Sequence, residues 1–169
     1  MACQVFERLK ALGVSNLTIG NWQSSIRHHV GVLREYENEA PWSGREISDI
    51  MYDGRCLRLQ DFFRQNTEHP YPPWLDEGIT ANSVQYHIEV KTTGGPCSTP
   101  FFMSQNQYRL MRQKACDPQS RTPPTDLFVI VRVFNLFSRK IGVKVYINPW
   151  HLKDGVLEFV ADPWKVIAS

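Results

Sequence analysis

The chain has 169 residues, of which 42% are hydrophobic and 21% charged, with a formal net charge of +2. Those values suit one globular domain large enough for a real core, and they exclude a disordered or low-complexity chain. So small a positive excess is also unlike the lopsided basic balance of a strongly electrostatic nucleic-acid binder.

The stretch CQVFERLKAL, from Cys3, sets Val5, Phe6, Leu9 and Leu12 on one helical stripe, and Gly13 ends it. NWQSSIRHHVGVL reads as a second helix, with Asn21 as N-cap and Trp22, Ile26 and Val30 facing inward. NEAPWSG breaks that pattern. EISDIMYD alternates Ile47, Asp49, Met51 and Asp53 against Ser48, Ile50 and Tyr52, which predicts a strand turning at Asp53-Gly54. LRLQDFFRQ is a candidate short helix, and TEHPYPPWLDEG, with three prolines, predicts a loop. The span of about 56–83 therefore reads as a proline-rich insertion.

VQYHIEVKTT is the clearest strand signal. STPFFMSQNQYRLMRQKA then turns into a helix, with Ser104 as N-cap and Tyr108, Met111 and Ala115 spaced for one buried face. DPQSRTPPT is a linker. DLFVIVRVFNL is a nearly continuous apolar run, as expected of a central strand buried on both faces. IGVKVYINP alternates as its neighbour, and GVLEFVADPWKVIAS adds one or two edge strands. This order predicts a single domain of α/β (α+β) class. The four cysteines (Cys3, Cys56, Cys97, Cys116) lack metal-ligand spacing. With no long apolar run and no signal-peptide pattern, they predict an intracellular protein, cytoplasmic or nuclear, without a membrane partner.

The residues that invite chemistry are Glu89-Val90-Lys91. Alternation along a strand puts Glu89 and Lys91 on one face and Val90 on the other. Asp49, on an earlier strand, is a second carboxylate that can meet them if the strands pair. Two carboxylates with a lysine form the set that metal-assisted phosphodiester cleavage uses: oxygen ligands for a hard divalent cation, and an ammonium beside the reacting water. The bland alternatives are a surface ion pair at Glu89 and Lys91 and a turn-capping role for Asp49. Asp53 reads as a turn residue and His28-His29 as a polar helix face. His87 reads as structural or exposed. GGPCSTP lacks the lysine of a P-loop, and no histidine adjoins Cys97 to activate it.

SDIMYD followed by IEVK matches the D…(E/D)xK signature of the PD-(D/E)XK nuclease-like superfamily. The longer segments NWQSSIRHHV, PWSGREISDIMYD, YHIEVKTTGGPCSTPFFMSQNQYRLMR and VIVRVFNL resemble the C-terminal domain family of protein NO VEIN, over nearly the whole chain. The resemblance implies a restriction-endonuclease-like αβββαβ core, a mixed central sheet flanked by helices. It implies that Asp49 and Glu89 bind Mg²⁺ (or Mn²⁺), that Lys91 positions the water, and that Glu7 and Gln107 assist. Gln107 stands where the family often carries glutamate, a departure that removes a charge. Arg109, Arg112 and Lys114 are candidate phosphate-backbone contacts. The implied partner is nucleic acid, DNA before RNA, with targeting supplied by a protein partner. The alternative is a catalytically inactive module of the same fold that binds protein or nucleic acid.

Overall fold

The computed structural model describes residues 2–24, 27, 36, 38, 40–44, 47–54, 56–70, 72–76, 84–153 and 155–160. Its frame is a mixed four-stranded sheet with helices, an α/β fold. Strand β1 (Ile50–Asp53) is antiparallel to β2 (Gln85–Thr92), which runs parallel to β3 (Asp126–Phe134), and β4 (Gly142–Ile147) is antiparallel to β3. A parallel pair needs a crossover connection. Residues 93–125 make it, and they contain helix α4 (Gln105–Gln113).

Strand alternation divides the side chains between two cores. Tyr86, Ile88 and Val90 of β2 join Leu127, Val129 and Val131 of β3 in the larger one. Helix α1 (Ala2–Ala11) contributes Cys3, Val5, Phe6 and Leu9 to it, and α2 (Leu57–Gln65) contributes Leu59, Phe62 and Phe63. Each such side chain contributes roughly 1.5–3 kcal/mol by leaving water. On the other face, Phe128, Ile130 and Tyr146 cluster with Met111 of α4, and Tyr108, Trp150 and Phe159 pack against them.

Several expectations hold. The apolar stripe of α1 faces inward, and Gly13 ends the helix at φ 75°. β3 lies between β2 and β4 with seven consecutive buried residues. Ser104 caps α4, its Oγ accepting from Gln107 N at 3.2 Å.

Other expectations need correction. Asn21 does not start a helix. It closes a 3-10 turn over Ile19–Asn21, where its Oδ1 accepts from Thr18 N at 2.7 Å, and Trp22 forms an antiparallel bridge with Ile50. Pairing with β1 outweighs the local helical spacing at that point. Ile26, His28, His29 and Val30 lie outside the described residues. The proline-rich stretch carries a four-residue helix, α3 (Pro73–Asp76), because Pro suits the first helical turn. Trp74 and Leu75 of that helix are buried. Among the described residues the tail forms only an isolated bridge, Lys153 to Leu157, and no further strand. Two described strands precede α4 and two follow it, whereas the αβββαβ order has three and one. No helix among the described residues is long and apolar enough to cross a membrane.

Candidate active site

The odd-numbered residues of β2 face the α4 side, opposite Tyr86, Ile88 and Val90. Glu89 and Lys91 therefore share a face, and both are withdrawn from solvent: Glu89 is 3% exposed. Lys91 Nζ lies 2.9 Å from Glu89 Oε1. The surface-pair alternative does not survive that burial, because a buried carboxylate requires a partner.

Asp49 immediately precedes β1. The pairing of Ile50 with Ile88 continues to place residue 49 opposite residue 89. The side chain confirms its seat on β2, with Asp49 Oδ2 accepting from Val90 N at 2.8 Å. Its backbone is held from the other side, where Asp49 O accepts from Gln23 N at 2.9 Å. Asp49 thus links β1 to β2 and is more than a turn cap.

Gln107 closes the cluster from α4. Its Nε2 donates to Glu89 Oε1 at 2.6 Å, and its Oε1 accepts from Lys91 Nζ at 3.1 Å and from Ser104 N at 2.9 Å. One amide therefore completes the helix cap and bridges the charge pair, and these partners fix which way it points.

The remaining sequence candidates are placed elsewhere. Glu7, half-buried on α1, pairs with Lys10 at 3.4 Å, and no hydrogen bond or ion pair joins it to Asp49, Glu89 or Lys91. Arg109 and Arg112 are exposed on α4, and the Arg112 guanidinium stacks 5.5 Å from the Trp150 ring. Lys114 is engaged with Asp126 at 2.6 Å.

Two features escaped the sequence reading. His87, expected to be structural or exposed, is 3% exposed, and its Nε2 lies 3.0 Å from Asp126 Oδ1. Burial pushes the Asp126 carboxyl up. Hydrogen bonds from His87, Lys114 and Thr125, with the charge of Lys114, outweigh that and bring it to about 2. Residues 87 and 126 are 39 apart, and no local pattern joins them. The second feature is Arg132, fully buried in the middle of β3. Its signal was visible: a lone cation inside an apolar run read as buried on both faces.

Asp49 and Glu89 offer oxygen donors at facing positions, the right chemistry for a hard cation. Among the described residues no three His, Cys, Asp or Glu side chains gather as a metal-holding group. A two-carboxylate set fits Mg²⁺, which keeps several of its waters. No family model matches the chain, and neither a curated protein nor a solved structure matches it.

Proposed function

We propose that this chain is a metal-dependent phosphodiester hydrolase acting on nucleic acid, of the PD-(D/E)XK nuclease-like kind and related to the protein NO VEIN C-terminal domain. The observation that carries the reading is the seat of Asp49 on β2. It is bonded to Val90 N at the position facing Glu89, with Lys91 next along the same face. Mg²⁺ or Mn²⁺, when bound, would supply Lewis-acid chemistry to a phosphoryl oxygen and to water.

Asp49 and Glu89 would hold that cation from facing positions. Lys91 orients the attacking water and stabilises negative charge developing on the phosphoryl group. Gln107 is a positioning residue that fixes Glu89 and Lys91 relative to each other. Arg109 and Arg112 supply exposed cations for a DNA backbone. Glu7, paired with Lys10, has no part in this assignment. An intracellular setting suits four cysteines without a disulfide.

A second reading is a module of the same fold that binds nucleic acid or a protein partner without turnover. Gln107 favours it: a neutral amide occupies Glu89 Oε1 where a carboxylate would add a metal ligand.

Calorimetric titration of Mn²⁺, with and without a DNA oligonucleotide, separates the two. Wild type is expected to bind Mn²⁺, and Asp49→Asn/Glu89→Gln to lose that binding. Cleavage of DNA or RNA is expected to be lost in Lys91→Ala. If wild type binds no Mn²⁺ under either condition, the hydrolase reading is overturned and the second takes its place.

A further inference from the structure

One row of side chains crosses the α4-covered face of the sheet beside the Asp49–Glu89 pair. Lys91 on β2 is the register partner of Arg132 on β3, and Arg132 is the partner of Lys144 on β4. The alternation that sends Phe128, Ile130 and Tyr146 to this face sends all three cations there. Neighbouring strands lie about 4.8 Å apart. Like charges set directly opposite one another are destabilising.

The two outer cations are compensated, Lys91 by Glu89 and Lys144 by Glu68. The central one is not. Arg132 takes part in none of the ion pairs among the described residues. Its Nη2 donates to Thr99 O at 2.7 Å, while Nε and Nη1 meet no acceptor among the described residues. Arg132 is 0% exposed. The Phe101 ring lies 5.0 Å from the guanidinium carbon, which offsets part of the charge but provides no lone pair for the unmet N–H groups. Cys97 Sγ and Tyr146 Oη lie 3.6 Å apart, and Tyr146 shares this face.

A role confined to clamping the Thr99 carbonyl does not account for the charge, since a neutral donor makes that bond. An unopposed guanidinium at such depth is strongly unfavourable unless a counter-charge joins it. We infer that Arg132, flanked by Lys91 and Lys144, is a binding site for an oxyanion of the phosphate class. Such an ion brings several acceptor oxygens and negative charge to the donors that lack both, and it relieves the repulsion within the row. This inference goes beyond the hydrolytic reading and does not depend on it.

Arg132 is fully buried with Thr99 O and the Phe101 ring of the segment 93–104 against it, so entry of the anion requires that segment to shift. Three backbone bonds hold that segment to the end of β3 and the turn beyond it: Thr93 N to Val133 O, Asn135 N to Gly95 O and Leu136 N to Thr93 O.

The test is a titration of the whole chain with inorganic phosphate, against chloride at equal ionic strength. A short single-stranded DNA is the second ligand. EDTA is present throughout, so that no divalent cation at Asp49 and Glu89 contributes. Phosphate is expected to raise Tm beyond the chloride control. Arg132→Gln is expected to weaken phosphate binding by at least about 10-fold, the loss of one charge-assisted contact. Tighter binding of DNA than of phosphate identifies the phosphodiester backbone as the source, and the reverse identifies a free phosphate. If Arg132→Gln does not fold, the Arg132 Nε–H resonance of the wild type gives the answer. A saturable shift on adding phosphate supports the site. An unmoved resonance, phosphate no better than chloride, or an Arg132→Gln variant that keeps its affinity overturns it.

Discussion

Glu89 and Arg132 are both buried charges, on adjacent parallel strands and on the same face of one sheet, but their surroundings differ. Glu89 has the Lys91 ammonium at 2.9 Å and the Gln107 amide at 2.6 Å. Arg132 has one backbone carbonyl and a ring face. Position on a sheet therefore does not determine whether a buried charge is compensated. Glu89 is compensated by Lys91, two residues along its own strand, and by Gln107 brought down from α4, whereas the segment over Arg132 brings it Thr99 O and the Phe101 ring.

The widest separation between the two charges is expected from the same substitution made beside one and at the other. Lys91→Met takes the Lys91 ammonium away from the buried Glu89 carboxylate and is expected to destabilise the fold by about 3–5 kcal/mol. Arg132→Met removes a charge that has no counter-charge among the described residues. In phosphate-free buffer it is expected to leave stability unchanged or to raise it. Thermal or urea unfolding of both variants checks the pair, and equal losses would erase the distinction drawn between them.

A smaller effect is expected at Gln107. Gln107→Glu keeps the capping residue type, since Glu serves the third helical position as well as Gln does. It also sets a carboxylate against Glu89 Oε1, where the amide donated at 2.6 Å. Metal-free protein is expected to lose about 1–3 kcal/mol from the repulsion and the lost hydrogen bond. Mn²⁺ is expected to restore more stability to the variant than it gives the wild type, because a third carboxylate has joined the set. Unchanged metal-free stability would mean that Gln107 does not hold Glu89 in solution.

The strands and the pair on β2 were legible because their signals are local. Alternation alone places Glu89 with Lys91, and a continuous apolar run marks β3 as central. Ser104 announced the start of α4 through its own side chain. What stayed hidden depends on tertiary pairing. Trp22 sits at helical spacing in the sequence but bridges Ile50, because its partner strand begins 28 residues later. The bond from His87 to Asp126 depends on the register of β2 against β3, which no spacing rule reports. Glu7 was assigned by resemblance, and its helix turns it toward Lys10. Arg132 was legible as an anomaly but not as a site, since its lack of a partner is a property of everything folded around it.

Asp126 lies between the two extremes: partly exposed, and held by three donors. Its carboxyl is depressed in the folded chain to about 2, with burial opposing and the bonds from His87, Lys114 and Thr125 prevailing. The unfolded carboxyl titrates near ~3.9. Because the folded value is the lower one, the stability it contributes is complete above about pH 4 and is lost as pH falls toward about 2. Solvent screening limits that contribution to on the order of 1 kcal/mol. Unfolding curves between pH 5 and pH 2, with the endpoints set at about those values by the same linkage, are expected to be flatter in Asp126→Asn than in wild type. An unchanged acid limb would mean that the bonds at Asp126 do not persist in solution. The strong compensation on this face would then be confined to Glu89, where burial excludes the water that screens Asp126.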